Sequence, residues 1–280
     1  MSSDDAGFSW KAAEKDLMAG IDTSIPVSAR IWNYWLGGKD YFAVDKKAGD
    51  QYAQVFPGIF DLARASRYFI ARAVRYLAGE AGIRQFLDIG TGLPSHDNTH
   101  EIAQRVTPEC HVVYVDNNPL VLVHARALLT SNTEGTTDYI EADLNDPDAI
   151  VRLARRKLDF TQPVAIMLMQ ILGHIGNPDE NDDRVAQSIV GELKAALPVG
   201  GYLAINEGIG DQAANAALEQ YNQTGAVPYR LRRPEQVIRF FDGLELAAPG
   251  VVPIQEWRPD HNPFGNGTPV PAFGGVGKKA

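Results

Sequence analysis

QFLDIGTGLPS, residues 85–95, is the stretch of sequence that decides the fold. It opens with a short apolar run bounded by turn residues, which is typical of a strand buried on both faces. Asp88 interrupts that run, and Gly90 and Gly92 lack the side chains that would hold the backbone away from a ligand. Because ligands bind beyond the carboxyl ends of strands in open α/β sheets, the sequence predicts a binding site at this bend.

The remainder of the chain alternates between strand patterns and helix patterns. Four further apolar segments predict buried strands, at residues 111–115, 139–142, 163–169 and 202–206. Two short segments, at 244–246 and 252–256, are predicted to pair with each other in antiparallel fashion at the sheet edge. The whole pattern predicts an α/β fold with a doubly wound, mostly parallel seven-stranded sheet and helices on both faces.

Helical spacing of apolar residues and capping signals predict the helices between these strands. One helix spans residues 60–77 and stops at Gly79, and its Arg64 and Arg67 count as site residues only if they face the crevice and a carboxylate. Asn98 with Glu101 forms a capping box for the next helix. Further helices are predicted from 118 onward, from 147 to 157, up to 197, from 211 to 223 and from 234 to 241.

Three regions are expected along the chain. Residues 1–80 form an N-terminal helical extension whose aromatic side chains surround Gly37-Gly38; it is interpreted either as a lid over the site or as helices that simply pack on the main domain. Residues 81–259 form a Rossmann-like catalytic domain that binds the cofactor. Residues 260–280 are rich in glycine and proline without periodicity, which predicts a flexible or extended tail.

Composition limits the possible partners and location. The chain has 280 residues, 45% of them hydrophobic, and 35 acidic against 26 basic residues give a net charge of −9. This charge does not attract a polyanion, so neither nucleic acid nor a membrane surface is an expected partner. A single cysteine, Cys110, excludes an intramolecular disulfide, and no apolar stretch reaches the ~18 residues of a membrane span. A reducing, cytoplasmic location is expected.

Three carboxylates end three successive predicted strands. Asp88, Asp116 and Asp143 should line one groove, since the carboxyl ends of parallel strands share one edge of the sheet. A carboxylate at Asp116 can accept hydrogen bonds from both hydroxyls of a ribose, and one at Asp143 can accept from the exocyclic amine of adenine. The groove therefore suits an adenosine.

The glycine bend indicates which adenosine cofactor fits. A dinucleotide fingerprint requires a third glycine three residues after Gly92, but Ser95 occupies that position and Pro94 precedes it. Pyrophosphate would be held weakly there. A phosphate-free ligand with a zwitterionic amino-acid end needs the glycines for close approach and Asp88 for its ammonium group. S-adenosylmethionine is such a ligand.

At the level of motifs, residues 21–259 resemble the actinobacterial S-adenosylmethionine-dependent methyltransferase family, which has the class I Rossmann-like fold. The resemblance lies in residues 86–94, 114–119, 142–144 and 36–40. It implies that Asp88, Gly90 and Gly92 hold the methionine end of the cofactor, Asp116 the ribose and Asp143 the adenine. Neighbouring positions complete the predicted cofactor site: Thr91, Leu93, Asn117, Leu144 and Gln170.

Two residues are candidates for catalysis. Similar sequences place a histidine directly after the leucine that follows the fourth strand, whereas here Gly173 follows Leu172 and His174 comes one position later. His174 is either a general base or a histidine bonded to a loop backbone. Glu207, at the end of the fifth strand, should face the acceptor or else be a solvated strand end. No metal site is expected, because a helix starting at Asn98 would exclude His96 from pairing with His100.

Three functions follow from these features. The first is an S-adenosylmethionine-dependent methyltransferase that acts on an unidentified small-molecule acceptor. The second is a non-catalytic module that binds S-adenosylmethionine or S-adenosylhomocysteine. The third is an NAD-dependent oxidoreductase, which only the glycine bend and Asp116 favour. The sequence leaves the oligomeric state open.

Overall fold

The structure is a computed structural model that describes residues 22–95, 97–118, 121, 134–177, 183–261 and 268–280. Its centre is a sheet with eight strands in the described residues, in the order β3-β2-β1-β4-β5-β8-β6, with β7 also paired to β8. The strands are β1 Gln85–Ile89, β2 His111–Asp116, β3 Thr136–Glu141, β4 Val164–Met169, β5 Tyr202–Gly208, β6 Glu245–Leu246, β7 Val252–Pro253 and β8 Ala272–Lys278. β1 to β5 are parallel, and β8 is antiparallel to its neighbours.

The described helices cover both faces of this sheet, as predicted. They are α1 Ser28–Trp35, α2 Ala43–Val55, α3 Ile59–Arg75, α4 Thr99–Val106, α5 Pro147–Ala154, α6 Arg184–Ala196, α7 Gln212–Tyr221 and α8 Pro234–Arg239. Successive strand residues alternate between two hydrophobic clusters. The first cluster lies against α1 to α4 and α7, and the second lies against α5, α6 and the end of α8.

Local signals account for the ends of several helices. The Asn98 and Glu101 capping box at the start of α4 is present, and Asp146 caps α5 by accepting from the Ala149 N–H at 2.9 Å. The predicted stop at Gly79 is wrong. α3 continues through a π-helical turn, Tyr76–Glu80, and Gly82 with φ +72° ends it.

The N-terminal extension packs on the main domain through aromatic rings. The Trp35 and Tyr52 ring centroids lie 5.1 Å apart, and Tyr52 meets Tyr221 of α7 edge to face at 6.3 Å. A Cβ on Gly38 would overlap the buried side chain of Asn33, whose Oδ1 accepts from the Asp40 N–H. The glycine pair therefore allows a tight turn between α1 and α2.

The C-terminal region differs most from the prediction. The expected flexible or extended tail contains β8, which lies inside the sheet between β5 and β6, so the sheet has eight described strands in place of seven. The short strands β6 and β7 do not pair with each other, because each pairs with β8. β8 fits there because glycines keep its backbone close to its neighbours: a Cβ on Gly274 would lie 2.9 Å from the Ile205 carbonyl oxygen.

Some predicted features lie outside the described residues. These are residues 1–21, nearly all of the helix expected from 118 onward, His96, and residues 262–267 of the expected tail. Within the described residues, no helix has the length and apolarity needed to cross a membrane.

Candidate functional site

The site lies where the strand order reverses direction, between β1 and β4. The bend after β1 and the loop after β4 meet there. Gly90 has φ +75°, and a Cβ at this position would overlap the side chain of Ile171 from the β4 loop. Gly92, with φ +66°, has nothing within 4 Å of where its Cβ would be. The first glycine thus permits contact between two loops, and the second leaves open space beside the backbone.

Hydrogen bonds fix the bend across the ends of β1 and β2. The Gly90 N–H donates to the Val115 carbonyl oxygen at 2.8 Å, and Thr91 Oγ1 donates to the Asp88 carbonyl oxygen at 3.1 Å. The Gly92 N–H donates to Asp116 Oδ2 at 3.0 Å. The bend is therefore held in shape by the two strands whose aspartates it adjoins.

Asp88 is a buried carboxylate at the end of β1. Its side chain turns toward α3 and α4, and Thr99 Oγ1 donates to its Oδ2 at 2.6 Å. Burial raises the pKa of Asp88 to about 6, while the Thr99 hydrogen bond and the nearby Arg67 act in the opposite direction. The negative charge of Asp116 also raises it, so the two carboxylates lie within electrostatic range of each other.

The other two strand-end aspartates adjoin the same edge. Burial raises the pKa of Asp116, against the hydrogen bonds that Asn118, Gly92 and Asn117 backbone N–H groups donate to it. Asp143 is exposed, and Asn117 Nδ2 donates to its Oδ2 at 3.2 Å. Although burial opposes the change, hydrogen bonds from Asn145 and Asn117 hold the pKa of Asp143 below its usual range. The predicted trio of carboxylates thus shares one edge of the sheet.

The remaining predicted cofactor residues divide between the edge and the core. Leu93 is half-buried in the bend and Asn117 is exposed beside Asp143. Leu144 does not face the groove. Its side chain is 6% exposed and belongs to the hydrophobic cluster beneath α5 and α6, so its placement there indicates a packing role.

Gln170, directly after β4, has an unusual conformation. Its φ is +59°, in the left-handed region that residues other than glycine rarely adopt. Its N–H donates to the Asn206 carbonyl oxygen at 2.9 Å, and its Oε1 accepts from the Tyr229 hydroxyl at 3.1 Å. In the described residues its buried Nε2 has no hydrogen-bond partner. Because strained residues cluster at binding sites, Gln170 is a candidate ligand contact.

His174 lies beside Gln170 in the β4 loop. Its Nδ1 is 3.0 Å from the Pro228 carbonyl oxygen, and its ring meets the Tyr229 ring edge to face at 4.9 Å. Burial lowers the pKa of His174, although the Pro228 hydrogen bond opposes this. The neutral ring therefore carries its proton on Nδ1 and its lone pair on Nε2. This is the backbone-bonded histidine considered above, in the tautomer that a general base requires.

Glu207 does not face the groove or solvent, contrary to both expectations for it. Its side chain is 0% exposed, with Oε1 accepting from the Leu172 N–H at 2.9 Å and Oε2 lying 3.3 Å from Arg232 Nη1. The Tyr229 hydroxyl is 3.4 Å from the same Oε2. Burial raises the pKa of Glu207 to about 7, against the effect of Arg232. Glu207 thus supports the β4 loop from beneath and contacts the site only through Tyr229 and Leu172.

Three residues near the site were not clearly identified from the sequence. Thr99 lies only eleven residues after Asp88 but carries no motif that marks it, and Tyr229 reaches the site from a distant part of the chain. Arg67 lies near a carboxylate, because Asp88 favours its charged form, whereas the exposed Arg64 pairs with Asp61.

The described residues contain no group of three His, Cys, Asp or Glu side chains arranged to hold a metal ion. His100 Nδ1 lies 2.9 Å from the Tyr114 hydroxyl, which accounts for its buried position.

Comparison with known proteins identifies the family. A family model described as S-adenosyl methyltransferase matches residues 14–280. The chain belongs to the S-adenosyl methyltransferase family. A DUF574 family protein from Streptomyces avermitilis is 42% identical, with a TM-score of 0.84, over 92% of this chain and 99% of that one. A candidate methyltransferase from Thermobifida fusca is 38% identical, with a TM-score of 0.83, over 93% and 98%. A search of curated proteins found no match.

This methyltransferase therefore uses S-adenosylmethionine, and its actinobacterial relatives agree with the resemblance seen in the motifs. The described residues fit that cofactor. Gly92 leaves room beside the bend, and Asp88 and Asp116 supply carboxylates. The family assignment sets aside the NAD-dependent oxidoreductase.

Proposed function

We propose that this methyltransferase transfers a methyl group to a small-molecule acceptor bound at the carboxyl ends of β4 and β5. The observation that carries the proposal is the division of the sheet edge into two halves. The carboxylates and the open bend lie at β1 to β3, whereas Gln170, His174 and Tyr229 lie at β4 and its neighbouring loops. The first half suits an adenosine with a cationic end, and the second suits the acceptor.

Each half has a defined role in this proposal. Asp88 accepts from the ammonium group of the cofactor, Asp116 from the ribose hydroxyls and Asp143 from the adenine amine. Gly92 lets the backbone approach the ligand. The hydrogen bonds that fix Asp116 and the bend hold these acceptors in place before the ligand arrives, which lowers the entropic cost of binding.

The bound cofactor supplies an electrophilic methyl group on a sulfonium. Held by Asp88, Asp116 and Asp143, the cofactor would give this methyl group to an acceptor lone pair and would leave as a neutral thioether that keeps the electrons of the broken carbon–sulfur bond. For an acceptor that must lose a proton, Nε2 of His174 takes it, since the hydrogen bond at Nδ1 directs the lone pair to Nε2. Gln170 Nε2 orients the acceptor by donating a hydrogen bond.

Charge and packing support a small acceptor. The net charge of −9 disfavours nucleic acid, and the residues on the β4 side are largely enclosed. Tyr229 is fixed by hydrogen bonds at both ends: its N–H donates to Asn222 Oδ1 at 2.9 Å, and its hydroxyl donates to Gln170. An aromatic ring fixed in this way provides a rigid wall for a small molecule.

Calorimetric titration with S-adenosylmethionine tests the cofactor half. Asp116→Ala should weaken binding by about tenfold or more, because charge-assisted hydrogen bonds to the ribose are lost. Asp148→Asn, an exposed acid on α5, is the control and should bind like the wild type. Unchanged affinity in a folded Asp116→Ala protein would refute the ribose role.

Incubation with methyl-labelled S-adenosylmethionine and a small-molecule extract tests the acceptor half. A labelled small product is expected, and His174→Ala should slow its formation while leaving the Kd for the cofactor unchanged. Label found only in nucleic acid would exclude a small acceptor. The complete absence of transfer would favour a non-catalytic module instead.

A further inference from the structure

Arg67 is the basic residue that the described structure brings to Asp88. It is half-buried on α3, two residues before the buried Phe69, and Nη2 donates to the Asp97 carbonyl oxygen at 2.7 Å. Thr99, two residues after Asp97, donates to Asp88 Oδ2 at 2.6 Å, so the backbone group that Arg67 binds adjoins Asp88, whose negative charge favours the charged guanidinium. Arg67 thus sits between α3 and the start of α4, above the end of β1.

We propose that Arg67 binds the carboxylate of the cofactor's amino-acid end, while Asp88 binds the adjacent ammonium group. The inference rests on the proposed function, since it assigns a second residue to the same subsite. Asp88 and Arg67 would together form a pair of opposite charges that matches a zwitterion, in which the two charged groups are attached to one carbon.

A ligand carboxylate at this subsite needs a positively charged residue beside it. Asp88 and Asp116 place two carboxylates within range of each other at this edge. A ligand carboxylate brought next to them would be repelled unless a positive charge faced it. Among the described residues, Arg67 is the cation that interacts with Asp88, and a guanidinium can bind a carboxylate through two parallel hydrogen bonds.

The local structure holds Arg67 in position. Asp97, whose carbonyl oxygen accepts from Arg67, has φ +57° and lies in the loop between the bend and α4. That loop is stabilised at its far end by the capping box, in which the Asn98 N–H donates to Glu101 Oε2 at 2.7 Å. The guanidinium is therefore anchored to the backbone just before α4.

The affinities for three ligands distinguish carboxylate binding by Arg67 from a general effect of the substitution on the site. S-adenosylmethionine carries both charged groups, its decarboxylated form carries the ammonium group alone, and 5′-methylthioadenosine carries neither. Calorimetric Kd values are measured for the wild type, Arg67→Gln and Arg64→Gln. Arg64 is the matched control because it lies on the same helix but is exposed and paired with Asp61.

Arg67→Gln should weaken binding of S-adenosylmethionine by about tenfold or more and leave the other two ligands within about twofold. Asp88→Asn should instead weaken both ligands that carry the ammonium group. Arg64→Gln should bind all three like the wild type. Equal losses for all three ligands in Arg67→Gln would overturn the proposal, because they would indicate a structural role.

Arg67→Lys covers the case in which Arg67→Gln does not fold. It keeps the positive charge but loses the paired hydrogen bonds, so it should show an intermediate loss confined to S-adenosylmethionine. Wild-type affinity in the lysine variant together with uniform losses in Asp88→Asn would also overturn the proposal. Failure of the wild type to bind S-adenosylmethionine at all would refute the proposed function itself.

Discussion

At the scale of single residues, the two glycines of the bend serve different purposes. Both have positive φ, so alanine at either position costs about 1 kcal/mol of backbone strain. Gly90→Ala would also require the Ile171 side chain to move away from the bend, whereas Gly92→Ala meets only open space. We expect Gly90→Ala to lower the free energy of unfolding by about 2–4 kcal/mol and Gly92→Ala by about 1 kcal/mol.

For ligand binding, we expect Gly92→Ala to have the more specific effect of the two substitutions. Gly92→Ala places a methyl group in the space beside the bend, so it should weaken S-adenosylmethionine binding more than its small effect on stability explains. Chemical denaturation and calorimetry of both variants measure the two effects. Gly90→Ala combined with Ile171→Ala should recover part of the lost stability; no recovery would contradict the contact with Ile171.

Asp88 should make cofactor binding depend on pH. Its pKa is raised to about 6, so above pH 6 it is ionised and attracts an ammonium group, and this attraction is lost as the pH falls through 6. The Kd for S-adenosylmethionine should rise by about tenfold between pH 7 and pH 5. Asp88→Asn should remove this dependence. A wild-type Kd that stays flat over this range would contradict the role of Asp88.

The raised pKa of Asp88 has the opposite effect on the stability of the fold, which increases as the pH falls. A carboxylate whose pKa is raised by folding costs stability when ionised, and this cost disappears as the pH falls through the raised value. Asp88 and Glu207, with pKa values of about 6 and about 7, should therefore not contribute to acid unfolding between pH 7 and pH 5. Weaker binding in this range thus need not reflect loss of the fold.

At the scale of elements, β8 shows why part of the fold was not predictable. Its sequence, AFGGVGK, contains three glycines, which lower strand propensity when local sequence alone is considered. Glycine is required at these positions because neighbouring residues leave no room for a side chain. A Cβ on Gly275 would lie 2.9 Å from Val251, and one on Gly277 would lie 3.0 Å from Phe241. Partners so distant in sequence leave no local pattern.

The parallel strands, by contrast, were predictable because their environment repeats along each strand. β1, β2 and β4 are buried on both faces, so their sequences are largely apolar. Asp88 interrupts the run in β1 one residue before the strand ends, and Asp116 lies where the run in β2 stops. The support beneath the site was not predictable, since Glu207 and Arg232 are both fully buried and meet only because the chain returns across the sheet.

Lys279, just after β8, stabilises the end of α6. Its Nζ donates to the carbonyl oxygens of Lys194, Ala195 and Leu197 at 3.0, 2.9 and 2.7 Å. These carbonyls lie at the negative end of the helix dipole, where a cation is favourable. We expect Lys279→Met to lower the free energy of unfolding by about 1–2 kcal/mol, measured by urea denaturation.

Lys278→Met provides the matched control for this helix cap. It removes the same charge one residue earlier, and its effect should stay within about 0.5 kcal/mol. Equal effects of the two substitutions would show that overall charge, and not the cap, determines the change.

At the scale of the whole molecule, the N-terminal extension shares one hydrophobic cluster with the sheet. The cluster includes Trp35 and Tyr52 from the extension, Tyr221 from α7 and Val276 from β8. A domain with its own core would unfold separately, but helices that bury their apolar faces against the sheet contribute to a common core. We therefore predict that the extension and the main domain unfold together in one transition.

Asp45 tests this prediction because it stabilises the extension from within. It is 0% exposed and lies 2.8 Å from Arg30 Nε, and it also accepts from the Val27 and Phe42 N–H groups at 2.8 Å each. Asp45→Ala leaves Arg30 buried without this counter-charge, which should cost about 3–5 kcal/mol. Asp61→Ala breaks an exposed pair with Arg64 and should cost at most about 1 kcal/mol.

The decisive measurement is the shape of the unfolding curve of Asp45→Ala. Calorimetry should give a single peak at lower temperature, and far-ultraviolet circular dichroism should follow the same transition as tryptophan fluorescence, since Trp35 belongs to the extension and Trp257 to the main domain. An early transition seen only by fluorescence, with the main peak unmoved, would mean that the extension melts alone. A shared transition would instead mean that loss of the extension also uncovers the sheet face that carries Asp88. A substitution remote from the groove could then change the fraction of molecules able to bind the cofactor.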